Sequence, residues 1–214
     1  MGSGVQREVQ ELIDLLEVMC RHDRTLITAA SNALMHADLE LSEDAIDLGR
    51  VVETIRMECE ELAIELLASR SPHYEPQQVV TAIQMAADLA RMGVLATHIA
   101  TAARRRHPAF VVPASVRPIV EQMGAEAMMI ASSASIVLGR SDPRIAAQLD
   151  GQDDTMDRLH RRLLQTVLAD DWDGGTTAAV DMALVGRYYE RFADHAVRVG
   201  HRTIFLLAGT PAPS

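Results

Sequence analysis

Apolar residues recur at alternating spacings of three and four in six stretches of this chain, the period that lines one face of an α-helix. The last stretch carries Met182, Val185, Tyr189, Phe192, Ala196, Val199, Thr203 and Leu206. The third carries Ala82, Met85, Leu89, Met92, Ala96 and Ile99, each 100 residues before a counterpart in the last. The second has Leu48, Val52, Ile55, Cys59, Leu62 and Leu66, and the fifth has Met156, Leu159 and Leu163, 104 residues beyond Val52, Ile55 and Cys59. Val9, Leu12, Leu16, Met19 and Leu26 mark the first; Val116, Met123, Ala127, Ile130, Ala134 and Val137 mark the fourth. Breaks fall at 38–42, 71–76, 107–113, 140–143 and 171–175, where turn-forming residues gather. Ser42 before Glu43, and Pro143 after Ser141-Asp142, read as helix starts, and Gly209 with Pro211 reads as a stop.

Segments of this length joined by short links predict antiparallel bundles. The shared stripes predict an internal duplication: an all-α chain of two tandem three-helix bundle repeats, residues 1–107 and 108–214. Composition agrees. Of the 214 residues, 48% are hydrophobic but only 3% aromatic, with 11 Met, which suits packed helices better than sheets. No run of about 18 apolar residues predicts a membrane span, and the opening Met1-Gly2-Ser3-Gly4 has no signal-peptide pattern. A cytoplasmic location is expected. Cys20 and Cys59 sit inside helical patterns and are expected to be buried free thiols. The net charge of −10 argues against sequence-independent nucleic-acid binding. All 20 basic residues are Arg, which reads as a compositional bias.

Two acidic pairs carry candidate chemistry. Asp153 and Asp157 lie four apart on the fifth helix, Glu190 and Asp194 four apart on the sixth. Residues so spaced share a helix face, and if the two helices pack antiparallel the four carboxylates converge. Such a set chelates hard cations such as Mg²⁺, Ca²⁺, Mn²⁺ or iron. The plainer reading is that these are solvated surface acids. Glu190 and Asp194 point roughly 150° from the apolar stripe at ~100° per residue, and Arg187 and Arg191 stand ready to pair with them. His195, His201, His98 and His160 read as packing or surface histidines. The run Arg104-Arg105-Arg106-His107 complements a helix C-terminus, and 170–175 reads as a turn. No nucleophile motif, phosphate-cradling glycine loop or Glu-x-x-His pair is present, which counts against an enzyme.

The stretch Gly186-Arg187-Tyr188-Tyr189-Glu190-Arg191-Phe192-Ala193-Asp194-His195-Ala196 resembles the Arg-Tyr-x-Glu-Arg-x-Gly/Ala-Asp-His-Ala signature of the PhoU family of phosphate-signalling regulators, in its mycobacterial type. Asp88-Leu89-Ala90-Arg91-Met92-Gly93-Val94-Leu95-Ala96 resembles its first-repeat version. The likeness spans essentially the whole chain. It implies metal binding through the acidic motifs on the bundle surface. In the second half Asp153, Asp157, Glu190 and Asp194 all persist; in the first, Gly49, Ala90 and Val94 stand where acids would be and only Glu53 remains. A divalent or trivalent metal (Mg, Mn, Zn or Fe) is therefore expected at the second repeat alone.

The resemblance further implies a negative regulator of phosphate uptake and phosphate-starvation signalling. Its partners would be a phosphate ABC transporter ATPase and a sensor histidine kinase of a two-component system, with membrane association only through them. A homodimer is a further expectation. The alternative is a carboxylate-bridged, metal-dependent helical-bundle enzyme, and a third reading is a plain helical interaction module.

Overall fold

The computed structural model describes residues 2–69, 74–140 and 143–208. Six helices follow one another: α1 Gly2–His36, α2 Leu39–Ser69, α3 Pro76–Arg106, α4 Arg117–Arg140, α5 Pro143–Val167 and α6 Gly175–Ala208. Among the described residues there is no strand. The expected stop at Gly209 and Pro211, and the Ser141-Asp142 cap, lie outside the described residues.

Local chemistry places the ends. Only Ala37 and Asp38 separate α1 from α2. Ala37 takes a left-handed turn at φ 52, and the Asp38 carboxylate accepts the Leu41 N–H at 3.0 Å. Asp38 is therefore the N-cap of α2, which corrects the expected cap at Ser42. That residue lies a turn inside, its hydroxyl donating to the Asp38 carbonyl at 2.7 Å and its side chain buried. The reason is that an Asp side chain caps as well as Ser and stands four residues earlier. α3 starts with Pro76 at its first position, and the Gln78 side chain accepts the Glu75 N–H at 3.3 Å. The 170–175 segment is a turn, as expected, with the Trp172 indole N–H donating to the Gly175 carbonyl at 3.1 Å.

The apolar stripes are the core. All eight stripe positions of α6 and all six of α3 are buried. In α2 the stripe drifts: Leu62 is only partly covered and Ala63 takes its place inside, because a straight helix slips against a strict three-four repeat. Within each triplet, α1–α3 and α4–α6, every helix packs on the other two; the triplets join through α3 against α6 and α1 against α4. α3 is apolar enough in composition to cross a membrane, yet most of it is buried in the bundle, as its central place requires. Cys20 and Cys59 are free and buried, and burial pushes both thiols up to about 12.

Polar groups fix how α3 and α6 lie. They run antiparallel: the Gln78 amide near the start of α3 donates to the Leu206 carbonyl near the end of α6 at 3.2 Å. At the other end Asp181 of α6, only 6% exposed, takes Arg105 at 2.9 Å and Arg106 at 2.6 Å. Arg104 reaches Glu43 at 3.4 Å, and the His107 ring meets the Ala37 carbonyl at 2.9 Å. The basic run therefore does more than complement its own helix end, the role expected for it: it straps the two triplets together.

One core residue breaks the pattern. Asp23 is 0% exposed, and neither carboxylate oxygen has a hydrogen-bond partner. It lies against α3 at Gly93, where an added Cβ would sit 3.2 Å from Asp23 Oδ1 and 3.2 Å from Val52 Cγ1. Leu16 and Val120, Met19 and Met123, and Leu26 and Ile130 are buried pairs spaced by the same 104 residues. On that spacing Ala127 answers Asp23. Burial raises the Asp23 carboxyl well above its ordinary 3.8, so folding favours its protonated form.

Two outcomes follow from these contacts. Replacing Asp181 by Ala leaves two guanidiniums unpaired at the junction; because both are partly exposed, the expected loss is about 1–2 kcal/mol in chemical denaturation. Asp23→Ala is expected to stabilise the protein. The unfolded carboxyl ionises near 3.8 while the folded one does not, so the unfolded state binds fewer protons and wild-type stability falls as pH rises. The gain from Asp23→Ala should thus widen by about 1.4 kcal/mol per pH unit above the unfolded pKa until the folded carboxyl itself ionises. Denaturation curves at pH 4, 5 and 6 check this; a gap that stays constant across them contradicts a protonated Asp23.

Candidate functional site

α5 and α6 pack antiparallel, with Gly186 beneath Leu163 and His160 and Gly200 beneath Leu149. This register faces Asp153 and Asp157 toward Glu190 and Asp194. The Asp153 carboxyl is pushed up to about 6, first by burial and then by Asp194, Asp157, Glu190 and Asp154. Glu190 is raised by burial and by Asp194, against the pull of Arg187. All four expected residues therefore share one electrostatic neighbourhood, and Asp154 joins them.

The cluster is more enclosed than the helical-wheel geometry indicated. Glu190 keeps only 13% of its side chain exposed, Asp153 and Asp194 are half-buried, and Asp157 and Asp154 are open. The expectation that Glu190 and Asp194 face solvent is corrected: α5 covers that flank of α6. Arg187 pairs with Glu190 at 2.5 Å, whereas Arg191, the other expected partner, only attracts Glu190 from a distance, makes no salt bridge among the described residues, and keeps its Nε buried without an acceptor.

Whether the cluster suits a cation turns on two atoms. Asp153 Oδ1 and Glu190 Oε2 are buried acceptors with no hydrogen-bond donor. A shielded carboxylate oxygen without a donor is costly, and a cation satisfies it. The donor set fits a hard metal. Among the described residues, no group of three or more His, Cys, Asp and Glu side chains stands in a metal-holding arrangement. The four acids are neighbours and not yet a coordination sphere, as mutual repulsion dictates; side-chain rotations would have to draw them together around an ion.

The first repeat closes the equivalent place. Glu53 is exposed and held by Arg56 at 2.7 Å, which lowers its pKa. A Cβ built on Gly49 would fall 2.3 Å from the Thr97 hydroxyl of α3. An acid at 49 would first have to displace Thr97.

The sequence did not reveal a second polar cluster, on the seam between α3 and α6. His195, 7% exposed, meets Asp88 through Nδ1 at 2.8 Å. Arg202 pairs with the other Asp88 oxygen, and Arg198 lies 3.9 Å from Asp88. Burial, with Arg198, Arg191 and Arg91 nearby, pulls the His195 pKa down to about 4. One rung away the His98 and Tyr188 rings stack at 5.1 Å. The available signal was the spacing 88, 91, 98 on one helix against 188, 191, 195, 198, 202 on the other, polar residues flanking the buried stripe. His160 is half-buried beside Gly186, and His201 pairs with Asp150 at 3.1 Å in the open.

Comparison with known proteins places this architecture. The model of the PhoU domain matches twice, at residues 16–103 and 120–203. The chain is 41% identical over 210 residues to the phosphate-specific transport system accessory protein PhoU homolog 2 of Mycobacterium tuberculosis, covering 98% of this chain and 99% of that one. It is 40% identical over 211 residues to the PhoU homolog 1 of Mycobacterium leprae, covering 98% and 95%. Among solved structures, PhoU from Pseudomonas aeruginosa superposes with a TM-score of 0.83 at 22% identity, covering 96% of this chain and 99% of that one. The phosphate transport system regulatory protein PhoU from Streptococcus pneumoniae gives 0.82 at 19%, covering 96% and 98%. With the family domain present in both triplets and whole-length relatives at 40–41% identity, the chain belongs to the PhoU family.

Proposed function

We propose that this protein is a regulatory adaptor of phosphate uptake. It would couple a phosphate-specific ABC transporter to a sensor histidine kinase and repress phosphate-starvation signalling when phosphate is plentiful. The observation that carries this reading is the whole-length identity with mycobacterial accessory proteins of phosphate-specific transport. The architecture supports it: long helices with charged outer faces suit docking on partner proteins, and the sequence offers no nucleophile motif. The reading places the protein in the cytoplasm, at the membrane only through its partners, and without catalytic activity of its own. A homodimer belongs to the same reading.

The second repeat supplies the metal site within this reading. Asp153, Asp157, Glu190 and Asp194 would hold a divalent or trivalent cation (Mg, Mn, Zn or Fe), supported by their shared neighbourhood and the two donorless buried oxygens. A cation there would cross-link α5 to α6 and neutralise a surface that partners meet. The first repeat, with Glu53 paired and Gly49 packed on Thr97, would hold none.

Deleting the gene is expected to raise phosphate-uptake gene expression in phosphate-rich medium, measured in a strain without other family members. Unchanged expression there contradicts the adaptor. In calorimetric titration with Mg²⁺, Mn²⁺, Zn²⁺ and Fe²⁺, the wild type should bind at least one ion and the Glu190→Ala/Asp194→Ala double variant none, with unchanged helical circular dichroism. Equal binding by both proteins removes the assignment, and binding lost on Glu53→Ala removes the asymmetry.

A further inference from the structure

Arg191 and His195 lie four apart on α6, one above the other on the flank that meets α3. On α3, Arg91 falls between the Asp88–His195 rung and the His98–Tyr188 rung. The antiparallel register therefore brings Arg91 toward Arg191 across the seam. The other cations nearby are committed: Arg202 and Arg198 to Asp88, Arg187 to Glu190. Among the described residues neither Arg91 nor Arg191 makes a salt bridge, although Arg191 pulls on the Glu190 carboxyl from a distance, and Arg191 Nε is a buried donor with no acceptor. Two unpaired guanidiniums beside one another repel, and an oxyanion is what reconciles them.

His195 adds selectivity. Asp88 Oδ1 lies 2.8 Å from His195 Nδ1, closer than the 3.4 Å approach of Arg198 to the same nitrogen; assigning the Nδ1 proton to the shorter contact leaves Nε2 of the neutral ring with a lone pair. Nε2 is buried and has no partner. A lone pair beside two cations is complemented by an oxyanion that itself bears an O–H.

We propose that Arg91, Arg191 and His195 form a binding site for inorganic phosphate on the α3–α6 seam. The guanidiniums take the charged oxygens, and His195 Nε2 accepts the P–OH hydrogen. Arg91 is exposed and, among the described residues, without an ion pair, so its side chain is free to turn onto a bound ion. The ligand is the free ion. Sulfate has no O–H to give, and a phosphomonoester above its second pKa of about 6 has none either. The site lies on the opposite flank of α6 from the carboxylates of the metal proposal, shares no residue with them, and does not rest on the adaptor reading.

The test is titration calorimetry on chelator-treated protein at pH 8 and constant ionic strength, with inorganic phosphate, sulfate and O-phosphoserine as separate ligands. Phosphate should bind, and the other two should bind about 10-fold more weakly or worse, the effect of one lost hydrogen bond in a desolvated site. Arg191→Gln and Arg91→Gln should each weaken phosphate about 10-fold or more. Arg162→Gln, on the far face of α5, should not change it. Among the described residues neither seam arginine makes a hydrogen bond or salt bridge through its side chain, so neither variant should lose thermal stability without phosphate. Absence of phosphate binding, equal binding of sulfate or phosphoserine, or full affinity in Arg191→Gln overturns the proposal. So does phosphate binding that appears only after metal is restored and survives Arg191→Gln, since it would then run through the acidic cluster. That outcome would leave the adaptor reading in place, whereas an unchanged deletion strain beside phosphate binding would sink the adaptor and leave this site.

Discussion

The antiparallel contact between α3 and α6 is the constraint on which the molecule depends. α3 is the most buried helix of its triplet, and α3 and α6 each have an apolar flank that their own triplets leave open. Joining them covers both. Apolar burial alone is non-directional and tolerates a slip along the axis. The polar rungs do not. Asp181 must meet Arg105 and Arg106, Asp88 must meet His195, and Gln78 must meet the Leu206 carbonyl. A slip by one turn would leave three enclosed acids or amides unmatched, a cost of about 1–3 kcal/mol for each. The charged rungs add register to the contact more than strength.

From that register follows the unequal chemistry of the halves. Once α6 is fixed against α3, its other flank meets α5, and Glu190 and Asp194 come down over Asp153 and Asp157. The corresponding place in the first triplet is tightened instead: Thr97 fills the space beside Gly49, and Arg56 takes Glu53. Val94 stands exposed where the second half has Asp194. A duplicated unit has thus kept its packing in both copies and its acids in one. Packing positions interlock with neighbours on several helices, whereas a surface acid touches little and is lost without harm to the fold.

The fold was legible because its signal is long. Six stripes, each sustained over several turns, left no competing period, and α3 and α6 could be aligned position by position. The acidic cluster was legible for the same reason: spacings of four on two helices predicted to be neighbours. What escaped depends on which helix covers which flank. A wheel around α6 put Glu190 in solvent because it knows nothing of α5. It could not pair Asp88 with His195, since that requires the register of two helices about a hundred residues apart in sequence. Asp23 was invisible for another reason: a carboxylate at a core position argues against burial, and only the packing of Val52 and Gly93 around it overrules that. Ser42 was mistaken for a cap because Asp38, four residues earlier, does the same job.

α6 carries acids and arginines alternately around its outer face, and their order has a consequence. Glu190 and Asp194 lean toward α5, Arg191 and His195 toward α3, so opposite charges stand one residue apart and yet face different neighbours. If these charges simply neutralised one another, Arg191 would pair with Glu190; Arg187 does so instead, and Arg191 keeps an unmatched donor. The helix thus holds a negative and a positive field side by side, half-shielded from water, where Coulomb effects exceed those at an open surface. A cation on one flank and an anion on the other would attract across the width of a single helix. By linkage, whatever each does to the affinity of the other is returned in equal measure. A device of that kind reads two ions at once from one rigid element, and it needs no change of fold to do so.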